Sequence, residues 1–303
     1  MNKKESHYCS QLIIGSAQFG FDYGVTNYQG MVPVDEMINI LDYSWNHDIH
    51  TIDTARFYGQ SEKNLGNYKH NRFDIISKFS KIPKGASSEE IEDYVRESLR
   101  SSRENLEVST LHGLLAHDVN EFLEHHKVLC PLGVKLKKEG LIKKFGVSLY
   151  NPDQAQKVLD IFTPDIIQFP MNVFDQRFVE SGILKKMHDR GIEKHVRSVF
   201  LQGIILQEAS NLDPFFDFFR PFYTKYQEFI ADTGLNPLMA ALKFTLDNPY
   251  IDKTIIGVCS LEQIKDITTS LLRLEGIQFV DFSSWKFHDD RLINPLSWPM
   301  LKK

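Results

Sequence analysis

Short apolar runs alternate along the chain with longer stretches in which apolar residues recur at helical spacing. The runs predict eight strands: Gln11–Ser16, Thr51–Ala55, Asp74–Phe79, Leu111–His117, Ile142–Leu149, Ile166–Pro170, His195–Phe200 and Thr254–Val258. Between them, Val34, Met37, Ile38, Leu41 and Trp45 share one helical stripe, and so do Ile91, Tyr94, Val95 and Leu99. Ser87 with Glu90 reads as a capping box ahead of the second stripe. Asn151, Pro152 and Gln154 supply cap, first-turn proline and reciprocal acceptor for another helix, and Ser260 with Gln263 opens the last. Strand–helix alternation repeated eight times, with no Pro/Gly/Ser linker, predicts an α/β fold: one (β/α)8 TIM barrel with a parallel eight-stranded core. The expected organisation is a single domain over residues 1–303, with 275–303 forming a C-terminal tail over the barrel. A doubly wound Rossmann sheet is the competing reading, and the absence of GxGxxG after an early strand weighs against it.

Composition narrows the function classes. Of 303 residues 42% are hydrophobic, enough for a sizeable core, and the net charge of −5 leaves no electrostatic footprint for nucleic acid. The densest basic stretch, KLKKEGLIKK at 135–144, reads as a solvated helix end followed by a strand start. Cys9, Cys130 and Cys259 are widely spaced and form no CxxC pair, which points to reduced thiols and a cytoplasmic location, with no disulfide framework and no zinc site. The apolar part of MNKKESHYCSQLIIGS is too short for a signal sequence, and no apolar run reaches the ~18 residues of a membrane span. The expected partner is a small molecule, with no nucleic acid and no membrane; oligomeric state is not legible.

In a barrel, chemistry sits at the carboxyl ends of the strands, where Asp53, Lys78, His117, Ser148 and Gln168 fall, with Tyr58 just beyond Asp53. A phenol of ordinary pKa ~10 is a poor acid at pH 7, but a nearby ammonium stabilises its phenolate. Lys78 would supply that ammonium, Asp53 would keep it charged, and His117 would orient a carbonyl oxygen and share the proton. Positioned acid catalysis of this kind is typically worth ~10²–10⁴-fold. None of the four can donate a hydride, so carbonyl reduction requires a cofactor. Taken singly, each has a structural explanation: a turn aspartate, a loop tyrosine, a surface lysine, a satisfied histidine. Strand-end placement in register is what favours chemistry. His47, His50, His125 and His126 show no ligand geometry, and no metal is expected.

The ordered motifs IIGSAQFG, TIDTARFYGQSEKNLG, ISK, the His of LLAHD, FGVSLYNPDQ, IIQFP, VRSVFLQGIIL and IIGVCSLEQIKDI resemble the aldo-keto reductases from Ile13 to Ile267. YGVTN and VRSVFLQG are most similar to a bacterial branch associated with sugar and surface-polysaccharide metabolism. The resemblance implies a barrel that uses NADPH or NADH to interconvert a carbonyl and an alcohol on a small substrate. It implies a catalytic tetrad of Asp53, Tyr58, Lys78 and His117, with Tyr58 the general acid in reduction. Gly15 and Ser16 would lie against the nicotinamide ribose, and Ser148 and Gln168 would bond the carboxamide. The usual serine–asparagine pair is Ser148–Leu149 here, so one carboxamide contact is missing or replaced. Arg197 stands where many relatives stack a Tyr or Trp on the nicotinamide. Ser198, Phe200 and Gln202 match the segment that wraps the diphosphate, expected to act mainly through backbone N–H groups.

The adenosine segment departs from the family pattern. Many NADPH-using relatives place a Lys or Arg there for the 2′-phosphate; this chain has Gly257, Cys259 and Gln263, with Asp266 nearby. The helix N-terminus opened by Ser260 is the one anion site expected to remain, so both NADPH and NADH stay open. Two further features are ambiguous. Phe215, Phe218, Phe219 and Phe222 within Pro214–Phe229 read as helix packing, although Phe215 or Phe216 could face substrate. Trp285, Phe287, Trp298 and Pro299 in the tail could cover the barrel wall or shape specificity. Two rival functions are a Schiff-base lyase using Lys78 and a nucleotide-binding regulatory barrel with little turnover.

Overall fold

The computed structural model describes residues 6–68 and 72–298. Pro299 and the residues after it lie outside the described residues. Eight parallel strands close into a barrel in sequence order: β1 (Leu12–Gly15), β2 (Thr51–Asp53), β3 (Asp74–Phe79), β4 (Leu111–Ala116), β5 (Ile142–Ser148), β6 (Ile166–Pro170), β7 (Glu193–Arg197) and β8 (Lys253–Gly257). β1 pairs with β8 through Gly15 and Gly257, which shuts the cylinder. The helices are α1 (Val34–Trp45), α2 (Ser61–Gly66), α3 (Ser88–Leu106), α4 (Val119–Lys138), α5 (Pro152–Ile161), α6 (Arg177–Glu180), α7 (Ile183–Asp189), α8 (Arg220–Asp232), α9 (Pro237–Leu246), α10 (Leu261–Leu274) and α11 (Asp290–Ile293).

The helix starts form as the local sequence dictates. Ser87 and Glu90 make the reciprocal capping box of α3, and Asn151 with Gln154 makes that of α5. Ser260 accepts from the Gln263 N–H at the start of α10. In α1 the buried stripe is Met37, Ile40, Leu41 and Ser44, while Val34 is exposed, so the buried face is rotated from the expected one. Strand seven differs more. It starts at Glu193 and stops at Arg197, because Ser198 takes a left-handed backbone (φ 61°) that ends the extended path. Leu201, Gln202 and Gly203 are left-handed as well, so the predicted strand end is a tight turn.

Inside the cylinder Ile13, Ile76, Leu115, Ile166 and Ile255 form a separate apolar cluster across its middle. Above that layer the strand ends carry polar side chains. The basic stretch 135–144 spans the end of α4 and the start of β5, as expected, with Lys135, Lys137, Lys143 and Lys144 paired to Glu92, Asp165, Asp74 and Glu193. Among the described residues no helix is long and apolar enough to cross a membrane.

The aromatic segment packs. Phe219, Tyr223 and Tyr226 are fully buried around Phe174, Phe216 is fully buried beside them in sequence, and none of Pro214–Phe229 lines the main cavity. The tail docks on the same cluster: Trp285 lies 5.0 Å from Phe229, Trp298 meets Phe216 edge-on, and the Phe287 N–H donates to the Phe174 carbonyl. Pro295 of the tail does reach the cavity wall.

Candidate active site

The carboxyl ends of the strands open into one cavity of about 840 Å³, within the range of small-molecule sites. Asp53, at the end of β2, is buried. Its Oδ2 accepts from Lys78 Nζ at 2.6 Å and its Oδ1 from Gln168 Nε2 at 2.8 Å. Lys78, on β3, has a side chain 0% exposed, and its Nζ also donates to the Thr54 carbonyl at 2.9 Å. An ammonium this deep is tolerable only because a carboxylate and a carbonyl replace its water.

Tyr58 sits in the turn between β2 and α2, anchored by hydrogen bonds from its N–H to Ala55 and from the Ser61 N–H to its carbonyl. Gly20 is required beside it: a Cβ there would collide with the Tyr58 carbonyl oxygen and lie 2.5 Å from the Ser61 nitrogen. The Ser61 hydroxyl donates to the Ser16 carbonyl at 2.9 Å, tying the same turn to the end of β1. Lys78 Nζ lies 5.1 Å from the Tyr58 ring centre, and the His117 ring meets Tyr58 edge-on at 5.8 Å. His117 follows β4, its N–H held by the Phe79 carbonyl. The four side chains singled out in the sequence therefore share one locus, with Asp53, Tyr58 and His117 on the cavity wall and Lys78 immediately behind.

The electrostatics differ from the expectation of an acidified phenol. Burial, and then the Asp53 carboxylate, raise the Tyr58 pKa above its ordinary value, and Arg197 is what draws it back down. Lys78 does not offset this, because its charge is spent on Asp53. Burial pulls the Lys78 pKa down while Asp53 opposes that. Burial, with Lys78 and Arg197 adding to it, lowers His117 to about 3, so the imidazole is neutral at physiological pH. Unfolded, the same ring takes a proton at its ordinary value near 6.5. Between those values the unfolded chain binds the extra proton, so stability falls as pH drops from 6.5 towards 3. His117→Asn is expected to flatten that acid-side loss, measured as the difference in thermal midpoint between pH 7 and pH 5; an unchanged difference would count against a neutral His117.

Every other cofactor-site candidate also lines this cavity: Gly15, Ser16, Ser148, Gln168, Arg197, Ser198, Phe200, Gln202, Gly257, Cys259, Gln263 and Asp266. Some are already engaged. Gln202 accepts from the Val25 N–H at 3.2 Å, and its carbonyl accepts from Thr26 Oγ1 at 2.9 Å. Its side chain thus clasps the loop after β1 to the turn after β7. Gln263 accepts from the Cys259 N–H at 2.7 Å. The helix N-terminus expected to remain as an anion site is taken: the Leu261 N–H donates to Glu36 Oε1 at 2.6 Å and the Gln263 N–H to Ser260. Leu149 is fully buried and offers no side-chain contact in the cavity.

Sequence reasoning missed the opposite wall. Tyr23, Gly24 and Thr26–Gln29 come from the long loop after β1, Tyr150 follows β5, and Asn236–Leu238 opens α9. Tyr23–Asn27 and Tyr150 fall in the motifs YGVTN and FGVSLYNPDQ, and Asn236 has the Asn-Pro helix start, where it accepts from the Met239 N–H. A smaller cavity of about 560 Å³ lies at the other end of the strands, among Asp74, His112, Lys144, Glu193 and Asp252, whose charges pair with one another or with neighbours. Among the described residues no group of three or more His, Cys, Asp or Glu could hold a metal ion.

The strand ends of the closed (β/α)8 barrel thus gather a phenol, an imidazole and a buried ammonium–carboxylate pair at one cavity. The model of the Aldo/keto reductase family matches residues 11–281, and the chain belongs to that family. A D-arabinose 1-dehydrogenase of Saccharomyces cerevisiae is 32% identical over 157 residues, spanning 48% of this chain and 44% of that protein. Two solved structures share the fold. An aldo-keto reductase from Bacillus halodurans, in its holo form, has a TM-score of 0.69 at 15% identity and covers 93% of this chain and 95% of its own. A glycerol dehydrogenase from Gluconobacter oxydans has a TM-score of 0.64 at 19% identity with the same coverage.

Proposed function

We propose that this protein is an NAD(H)-dependent aldo-keto reductase that interconverts a carbonyl and an alcohol on a sugar or sugar derivative, with Tyr58 as the proton-transfer group. The observation that carries the reading is the 2.6 Å Lys78–Asp53 pair buried directly behind Tyr58 and His117 at the cavity wall. The cavity suits a dinucleotide: its lining runs from Ser148 and Gln168 past Ser198–Phe200, Gln202 and Gly203 to Gln263 and Asp266. Those residues, with Gly15, Ser16, Phe200, Gly257 and Cys259, would hold it. When bound, such a cofactor supplies or accepts the hydride.

The protein's own groups do the rest. Tyr58 enters as the neutral phenol, because burial and Asp53 hold its proton on, and gives that proton to the carbonyl oxygen in reduction. His117, neutral, has one ring N–H to donate to the same oxygen, which fixes the carbonyl against Tyr58. Arg197, the cation that draws the Tyr58 pKa down, then stabilises the phenolate left behind, while Lys78 neutralises the Asp53 carboxylate that would oppose it. A Schiff-base role for Lys78 would need a reachable amine; its Nζ is enclosed and donates to two oxygens, which favours the reductase reading. The sugar assignment draws on the arabinose-dehydrogenase relative. We further propose one domain over residues 1–303, with 275–303 as a tail over the barrel, and a cytoplasmic setting in keeping with three widely spaced cysteines.

NADH is favoured over NADPH by charge. Arg197 is the only lysine or arginine among the described lining residues, while Asp266 lines the α10 side and Glu36 occupies the first amide of that helix. A 2′-phosphate there would meet carboxylates and no cation, whereas free ribose hydroxyls can donate to Asp266. Fluorescence titration should show NADH binding more tightly than NADPH. Asp266→Lys combined with Glu36→Gln is expected to shift the ratio of the two dissociation constants by about tenfold or more towards NADPH; a ratio that stays put would refute the charge argument. Aldoses and keto-sugars screened with the tighter binder test the substrate, and tight binding with no turnover on any of them would favour the regulatory barrel instead.

A further inference from the structure

Arg197 is the last residue of β7, and the left-handed turn at Ser198 carries the chain away just beyond it. Its guanidinium is fixed on the cavity wall by three contacts. Nη2 donates to the Leu149 carbonyl at 3.2 Å, Nη1 lies 3.4 Å from the Ser198 hydroxyl, and the group stacks 4.6 Å from the Tyr150 ring centre. All three partners are uncharged. Among the described residues no carboxylate comes within ion-pairing distance of Arg197. The other cation at this end, Lys78, is neutralised by Asp53 at 2.6 Å. The strand-end side of the cavity therefore carries one uncompensated positive charge, and its influence on both Tyr58 and His117 shows that it reaches the reacting groups.

We infer that Arg197 makes this pocket bind the reduced form of a nicotinamide dinucleotide more tightly than the oxidised form, so that the bound cofactor is a stronger oxidant than the free one. The inference rests on the dinucleotide reading above, with the nicotinamide at the strand ends. The oxidised ring carries a formal positive charge and the reduced ring none. A planar guanidinium can stack on either ring, but it repels only the charged one. Two like charges about 5 Å apart in a partly hydrated site differ from a charge–neutral pair by on the order of tenfold in binding. For a two-electron couple, tenfold tighter binding of the reduced form corresponds to about 30 mV. The direction is towards alcohol oxidation on the enzyme.

The test compares dissociation constants for NADH, by its emission, and NAD+, by competition, in the wild-type protein and in Arg197→Lys, Arg197→Met and Arg197→Phe. The expected result is a ratio Kd(NAD+)/Kd(NADH) that falls about tenfold in the Phe and Met variants and is retained in the Lys variant. Raising ionic strength on the unaltered protein should narrow the same ratio, which tests the charge even if a variant misfolds. A Phe-variant ratio within twofold of wild type, a Lys variant that falls as far as Phe, or a salt-independent ratio would each overturn the inference while leaving the dinucleotide reading intact. Failure of the wild-type protein to bind either form would remove that reading itself, and this inference with it.

Discussion

Tyr58→Phe is expected to lower kcat by ~10²–10⁴-fold or more while leaving the affinity for dinucleotide within about twofold. The substitution removes one oxygen and keeps the ring, its edge-on contact with His117 and its contact with Phe21. Among the described residues the Tyr58 hydroxyl makes no hydrogen bond to the protein, so its loss should leave stability within about 0.5 kcal/mol. That separation gives the experiment its force. A large kinetic loss with unchanged melting and unchanged cofactor titration assigns the proton to this hydroxyl. Turnover within tenfold of wild type would show that another group, His117 first among them, delivers it.

The second large effect is on the fold as well as the chemistry. Lys78→Met leaves the Asp53 carboxylate buried with its Oδ2 unpaired, and stranding one member of a buried pair typically costs ~3–5 kcal/mol. The unneutralised Asp53 carboxylate also disfavours the Tyr58 phenolate, so activity should fall with stability. Asp53→Asn together with Lys78→Met removes both charges and is expected to recover most of the melting temperature with none of the activity. If the double variant melts as low as Lys78→Met alone, the cost lies in packing around the lysine stem and not in a stranded charge. Calorimetry alongside single-turnover kinetics distinguishes the two.

What the sequence made legible follows from where its signals are local. Strand–helix alternation, the capping pairs at Ser87–Glu90 and Asn151–Gln154, and the placement of Asp53, Lys78 and His117 at strand ends each depend on residues close in the chain. The closed barrel then follows from repetition. The misreadings were non-local or conformational. Val-Arg-Ser-Val-Phe reads as a strand through Phe200, whereas the left-handed Ser198 that ends β7 has no composition signature. The amide at the start of α10 was expected to be open, yet Glu36, distant in sequence on α1, reaches it. The Tyr58 phenol was expected to be acidified by Lys78, and the opposing weight of burial and Asp53 emerges only from the packed geometry. Tyr23 and Thr26–Gln29 come from a loop whose path is set by its contact with Gln202 across the cavity.

Across the barrel axis, Ile13, Ile76, Leu115, Ile166 and Ile255 separate the tyrosine end from a second polar assembly, in which His195 Nε2 lies 2.7 Å from Glu193 Oε1 and Glu193 in turn pairs with Lys144. That oily diaphragm works as an insulator. The charged groups that shift His117, namely Lys78 and Arg197, all lie above it, and those that shift His112, namely Asp74, Lys144 and Glu193, all lie below.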